Sequence, residues 1–460
     1  KLLCSDRERP SNKAVIENGR NEFEADYDRI VGSSSVRRLQ DKAQVYPLQA
    51  NDFVRTRLTH SIEVSGIARS LGKQAASRLS KEKKEDISNE QIDSIAAILQ
   101  TVGLIHDIGN PPFGHFGESL IQNWFRDNNG YLSELSNKEK NDFLYFDGNV
   151  QNFRIVTRLQ MLNDTYGANF TYATLAVLMK YPWESMEVDK YEKKKFGYFQ
   201  SESDIVEKIR EKTGLKEGVR HPLTYLLEAA DDITYIGDDI EDGVKKGLIN
   251  WIPTYEDFKK RFNNNPSIKT QIIDRISNIK QVGNIPDKDI SDSRNFRNLV
   301  QSYMIKHALD NFIKYYDDIM IGCFKQKDLF EDDFEISQII GWYKELMLSN
   351  CYSCTEVLDL ELSAKKVIYT LLDCYINTIV NADKKTLDDI TSYANRLLES
   401  ISDNYVFIAK NTNNNKNVSF SDLSMYSKLQ LCVDYVSGMT DSYAVRQYKK
   451  IMGISLSLKG

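Results

Sequence analysis

The chain has 460 residues, 41% hydrophobic and 27% charged, and a formal net charge of −6. That length can bury one large core or two to three ordinary ones, while the acidic balance excludes a global basic field for holding nucleic acid. No apolar run approaches the roughly 20 residues needed to span a bilayer, and Lys1-Leu2-Leu3-Cys4-Ser5-Asp6-Arg7 has no apolar signal core, so a cytoplasmic protein with no membrane partner is expected.

Only nine prolines interrupt the chain, and its hydrophobic periodicity is helical almost throughout. Ile62, Val64, Ile67, Ala68, Leu71 and Ala75 predict a first helix, followed by a charged connection over 80–86. Ile92, Ile95, Ala96, Leu99, Val102 and Ile105 predict a second. It stops at Gly109-Asn110-Pro111-Pro112, because glycine followed by proline ends helices. A lysine- and glutamate-rich stretch over 184–218 is expected to be mobile or inserted. Leu223, Leu226, Leu227, Ala230 and Ile233 predict a helix starting just after Pro222. Polar breaks fall at Asn263-Asn264-Asn265-Pro266 and at 411–417. Further helical stripes lie at 299–321, 335–349, 354–382, 386–402, 422–436 and 441–452. Tyr405-Val406-Phe407-Ile408 alternates as a strand would, but nothing demands a sheet. The fold is read as all-α, with a weak boundary near residue 250.

The six cysteines are scattered, as reduced thiols are. Cys351 and Cys354 form a C-x-x-C with no second pair or nearby histidine to complete a zinc site, so they read as thiols on a helix.

Chemistry concentrates where the histidines do. Of five in the chain, His60, His106 and His115 fall close together, each beside charged residues. Imidazole and carboxylate together bind a divalent ion and activate water. His106 and Asp107 are adjacent at the end of an apolar helix, where a buried carboxylate needs a partner. His60 shares a helix face with Val64, Ile67 and Leu71, pointing it at the core. A lone histidine is more often a hydrogen-bonded core residue, but that reading must here explain three features together. The best further ligand is Asp231, on the border of an apolar stripe. Tyr235 and Asp239 follow it at steps of four on one helical face, and offer hydrogen-bonding groups to a substrate. A solvated acidic face is the plainer alternative. Two histidines and two aspartates with open positions suit Mn²⁺, Mg²⁺ or Fe²⁺ better than a closed zinc site.

His115 and Glu118 are three apart at the start of a helix, so the carboxylate can orient the imidazole for proton transfer. A packed histidine and a helix-start glutamate is the alternative. Arg37, Arg38, Lys42, Arg55 and Arg57 cluster around Gln40 and Gln44, and Lys193-Lys194-Lys195 adds a second run. Cationic groups beside a metal site suggest a phosphate-rich substrate, although a lysine run alone is more often a solvated loop. No Gly-x4-Gly-Lys-Ser/Thr occurs, which excludes a P-loop.

Four segments carry a resemblance: Arg55-Thr56-Arg57-Leu58-Thr59-His60-Ser61; His106-Asp107-Ile108-Gly109-Asn110-Pro111-Pro112-Phe113-Gly114-His115-Phe116-Gly117-Glu118; Phe146-Asp147-Gly148-Asn149-Val150-Gln151-Asn152-Phe153-Arg154-Ile155; and Ala230-Asp231-Asp232-Ile233-Thr234-Tyr235. In order and spacing they resemble the HD superfamily, more narrowly its deoxyguanosinetriphosphate triphosphohydrolase-like branch. Residues 435–444 are similar to that branch as well.

The resemblance implies an all-helical HD-domain phosphohydrolase core over 1–250, with a helical C-terminal region over 251–460 packed on it. It implies one divalent ion per subunit held by His60, His106, Asp107 and Asp231. Mn²⁺ or Mg²⁺ is favoured, with Fe²⁺, Ni²⁺ or Zn²⁺ as alternatives. Asp232 is set aside because the family spacing runs from the ligand aspartate to Tyr235 and Asp239, which bind the deoxyribose and its 3′-hydroxyl. His115 and Glu118 match the catalytic pair. Arg57 and Gln44 match positions approaching the phosphates and sugar, and Lys194 and Asn149 are further candidates for substrate contact. The implied reaction converts a dNTP, dGTP or another, to the deoxynucleoside and inorganic triphosphate. In it His115 either manages the proton or acts directly at phosphorus. A dimer-built homo-oligomer, a tetramer or hexamer, is also implied. Asn110 stands where some branches carry another histidine, which argues against a second metal.

Competing expectations are an HD phosphohydrolase for nucleoside monophosphates or cyclic nucleotides, and a nucleotide-binding regulator without catalysis. Tyr235, Asp239 and the long C-terminal half argue against the first. The intact His115, Glu118 and ligand set argue against the second. Single-stranded DNA binding is a third, weakened by the absence of a basic-aromatic stripe.

Overall fold

A computed structural model describes residues 1–9, 19–45, 54–160, 164–187, 195–279, 286–352, 355–382, 386, 389, 391–411 and 418–454. Among the described residues every extended element is helical, and the one β-bridge pairs Arg7 with Thr171. The all-α expectation is met. Residues 405–408 lie in the Asp403–Asn411 helix, which settles their alternation in favour of helix. Part of the 184–218 stretch is also ordinary structure. Ser203–Thr213 is a helix that buries Ile205, Val206 and Ile209, because these recur at helical spacing beneath the charges. Ile62, expected on a buried stripe, is exposed; the buried face of its helix is Val64, Ala68, Leu71 and Ala75. Cys351 is buried and Cys354 lies outside the described residues. No helix among the described residues is long and apolar enough to cross a membrane.

The chain forms two compact units, each assembled from separated segments. The first comprises Lys1–Ala43, Ile105–Arg220 and Leu360–Gly460. Its core gathers Leu120, Ile121, Trp124 and Phe125 of the Gly114–Asp127 helix with Leu371, Leu372 and Tyr375, and with Leu429 and Val433 of the Met425–Ser437 helix. Each such side chain contributes roughly 1.5–3 kcal/mol by leaving water. Burial of Trp124 requires a partner for its indole N–H, and Asp373 accepts it at 2.8 Å. Arg154 is buried, so its guanidinium is met by two carboxylates: Asp434 at 2.7 Å and Glu202 at 2.7 Å. The Gly148–Arg154 helix is thereby anchored at its C-terminal end.

The second unit comprises Gln44–Leu104 and His221–Asp359. The Pro222–Lys245 helix is its axis, packed by the Arg57–Arg78 and Lys288–Lys314 helices. Thr56 opens Arg57–Arg78 with a capping box to Thr59, and His221 with Pro222 at the first helical position opens Pro222–Lys245. Close approach between Arg57–Arg78 and the Asn89–Ile105 helix depends on Gly103, where a Cβ would fall 2.8 Å from the Ser65 Cα. Beside the axis, Trp251, Phe258, Phe296 and Trp342 meet edge to face, and Tyr255 stacks on Trp251.

Candidate functional site

In the first unit, the turn after Ile105 presents His106 and Asp107. Their ring nitrogen and carboxylate are 3.6 Å apart, with 10% and 19% of the side chains exposed. The turn is held from several sides. The Asn152 amide donates to the His106 carbonyl at 2.8 Å, and the Lys42 ammonium donates to the Asn110 carbonyl. At Gly109 a Cβ would lie 2.2 Å from the Asn152 nitrogen and the Gly148 oxygen, so no larger residue fits. Phe113 is left-handed at φ 65°, and its N–H donates to Asp441 at 2.9 Å. A residue near the C-terminal end of the chain thus braces the N-terminal motif.

That bend launches the Gly114–Asp127 helix and places His115 outward. Its side chain is 76% exposed, while Nδ1 lies 2.9 Å from Oε2 of the buried Glu118. The other Glu118 oxygen accepts the Gly148 N–H at 2.8 Å. The carboxylate is therefore fixed at both ends and sets the imidazole's orientation. Next to Gly148, the buried Asp147 caps its helix through the Asn149 N–H, accepts the Asn149 side-chain amide at 2.7 Å and pairs with Lys195 at 2.8 Å. Burial alone would raise the Asp147 pKa, but Lys195 and Asn149 overcome it and hold the carboxyl below its usual range. Asn149 thus stands in the same web as Glu118. Lys194 lies outside the described residues, and Lys195 is the lysine of that run the structure connects to it.

In the second unit, His60 and Asp231 come together from 171 residues apart, Nε2 to Oδ1 at 3.1 Å. His60 is buried, whereas 30% of the Asp231 side chain is exposed. A group able to hold a metal ion is present among the described residues and includes this pair. An imidazole nitrogen and a carboxylate oxygen converging in this way are donors that first-row divalent ions accept. Tyr235 and Asp239 continue the row, as their spacing predicts. Burial, then Asp232 and Asp231, push the Tyr235 phenol up, which keeps it a neutral donor. Burial pushes Asp239 up to about 6, against the Tyr343 hydroxyl and His60. Tyr343 donates to Asp239 Oδ2, and its ring lies 5.4 Å from the Tyr235 ring.

The expectation of a basic substrate side is corrected at Arg55. Its guanidinium is committed to Glu63, Asp238, Glu241 and Asp242 at 2.7–3.3 Å, and Arg297 joins Asp238 and Glu241. Four carboxylates on and beside one helix leave too strong a local field for this arginine to serve an incoming anion. Likewise Arg37 donates to the Gly32 carbonyl and Arg38 to the Tyr405 hydroxyl. Arg57 is buried at the first position of its helix, and Gln44 opens the second unit with its Oε1 buried. Sequence reasoning missed Tyr343, which left no local trace. Asp147, Lys195 and Asp441 lie in segments it had singled out, but it gave none of them a role of its own in the site.

The HD domain family model matches residues 57–152, a window that holds His60, His106, Asp107, His115, Glu118 and Asn149. The chain is 38% identical over 468 residues to the deoxyguanosinetriphosphate triphosphohydrolase-like protein of Listeria innocua serovar 6a, which covers 99% of each chain. It is 31% identical over 485 residues to the deoxyguanosinetriphosphate triphosphohydrolase of Klebsiella pneumoniae subsp. pneumoniae, covering 94% of each. A deoxyguanosinetriphosphate triphosphohydrolase-like protein of Pseudomonas aeruginosa is 45% identical over 242 residues, 51% of this chain and 54% of that one.

Proposed function

Since the chain belongs to the deoxyguanosinetriphosphate triphosphohydrolase family of HD-domain proteins, we propose that it is a metal-dependent hydrolase acting on deoxynucleoside triphosphates, dGTP or others. The products are the deoxynucleoside and inorganic triphosphate. The observation that carries this reading is the meeting of His60 with Asp231, which supplies metal-type donors beside the tyrosine–aspartate row.

The HD domain implies divalent-metal binding, and we assign His60, His106, Asp107 and Asp231 as the ligands of one ion, Mn²⁺ or Mg²⁺. When bound, such an ion polarises a phosphoryl oxygen and lowers the pKa of water. The chain's own groups do the rest. His115, with Nδ1 tied to Glu118, uses Nε2 on the opposite ring edge at the reacting phosphoryl group. Glu118 fixes that ring and stabilises its charged form. Arg57, Gln44, Asn149 and Lys194 contact the phosphates and sugar. Tyr235 packs against C2′, excluding a ribo hydroxyl, and Asp239 accepts the 3′-hydroxyl. Residues 1–250 carry this chemistry and 251–460 support it. The protein is a cytoplasmic homo-oligomer built from dimers.

Each dNTP and NTP is incubated with Mn²⁺ or Mg²⁺, and the phosphate product is identified by ion chromatography. Tripolyphosphate from dNTPs alone is expected. Pyrophosphate or orthophosphate, or equal turnover of NTPs, overturns the reading.

A further inference from the structure

Asp239 and Tyr235 sit on the Pro222–Lys245 helix, but neither is positioned by that helix alone. A buried carboxylate on a helix retains freedom about its terminal torsion unless a donor claims one oxygen. Here the donor is Tyr343, 104 residues further on and in the Phe334–Met347 helix. Tyr343 is 2% exposed, so its hydroxyl must be satisfied internally. It is met by Asp239 Oδ2, and by the Tyr352 hydroxyl at 3.2 Å. The same ring lies against Tyr235, centroids 5.4 Å apart and planes at 46°. One side chain therefore touches both residues assigned to the sugar.

We propose that Tyr343 is a positioning residue for deoxyribose recognition: its hydroxyl sets the Asp239 carboxylate for the 3′-hydroxyl while its ring backs Tyr235. This rests on the assignment of Tyr235 and Asp239 given above. Tyr352 is the outer member of the relay, joined to Tyr343 at its hydroxyl. A hydrogen bond to a charged partner is worth roughly ten- to hundredfold in an equilibrium. Loss of the Tyr343 hydroxyl therefore falls on the 3′-hydroxyl's contribution, whereas a packing defect would weaken all substrates alike.

The test compares kcat/KM for the dNTP turned over fastest with that for its 2′,3′-dideoxy counterpart. It uses the full-length parent, Tyr343→Phe, Asp239→Asn, the double variant and Tyr352→Phe. Tyr343→Phe is expected to lower the deoxy-to-dideoxy preference by at least about tenfold, and to lower it little further once Asp239→Asn is present. Tyr352→Phe moves the same ratio by less, and serves if Tyr343→Phe does not fold. Equal loss on both substrates, or a ratio unmoved in the folded tyrosine variants while Asp239→Asn moves it, overturns the role of Tyr343 and leaves the sugar assignment standing. A ratio unmoved by Asp239→Asn, or no dNTP turnover by the parent, removes the sugar assignment and this inference with it.

Discussion

Two sets of carboxylates on the Pro222–Lys245 helix share a residue type and differ in their partners. In one, Asp238, Glu241 and Asp242 are buried against Arg55, Arg297 and Lys245. In the other, Asp231 meets an imidazole and Asp239 meets a phenol. Acidity alone does not mark a site; the kind of partner does. An arginine neutralises a carboxylate, whereas a neutral donor or an imidazole keeps its oxygens in place for a ligand. The histidines make the same point. His115–Glu118 at 2.9 Å and His307–Asp333 at 2.7 Å are nearly the same pair. But the His115 side chain is 76% exposed, while His307 is 17% exposed, flanked by Glu335 and packed against Tyr303.

The largest expected effect breaks the comparison at its metal-facing side. Asp231→Ala should abolish divalent-ion binding, read by elemental analysis, and lower dNTP turnover by several orders of magnitude. Full metal content with parental turnover would refute the ligand assignment. Next, His115→Ala should cost about 10²–10⁴ in turnover with an unchanged melting temperature. His307→Ala should keep turnover within a few-fold and lose about 1–2 kcal/mol of stability in urea titration, since it strips a partner from the capping Asp333. Swapped outcomes would reverse the reading of the two pairs.

In the arginine-paired set, Arg55→Ala strands buried carboxylates and should destabilise by roughly 3–5 kcal/mol; a thermal shift near zero would show the clasp to be dispensable. The smallest effect is a difference of sign with pH. Burial would raise Glu241, but Arg55, Lys245 and Arg297 hold it down to about 2, below its ordinary 4.5. Its stabilising share is complete above 4.5 and lost as pH falls through 2, so the gap between the parent and Glu241→Gln should close on acidification. Asp239, raised from 3.8 to about 6, behaves oppositely. Its folded form favours the proton, so Asp239→Asn should gain stability relative to the parent as pH rises from 4 to 6. Denaturant titrations across pH 2–7 with parallel slopes for the two variants would contradict this.

Much of the fold was legible because helical periodicity is a property of contiguous residues. The stripe at 223–233, the stop at Gly109-Asn110-Pro111-Pro112 and the His115–Glu118 step need only local spacing. The misreadings were local signals overruled by neighbours. Charges at 203–213 masked an apolar face, and Ile62 matched a stripe whose buried side lies elsewhere on the turn.

What the sequence by itself determined is the helical class, the row Asp231–Tyr235–Asp239 and the histidine–carboxylate step at 115–118, because each is encoded in adjacent turns of one helix. Only the tertiary structure decided that His60 meets Asp231, that Arg55 is consumed by carboxylates, and that Tyr343 holds Asp239. Glu63 aside, which lies eight positions from Arg55, those pairings join residues 104 to 187 positions apart. A buried charge or hydroxyl states that it needs a partner, but which partner depends on the packing of whole helices.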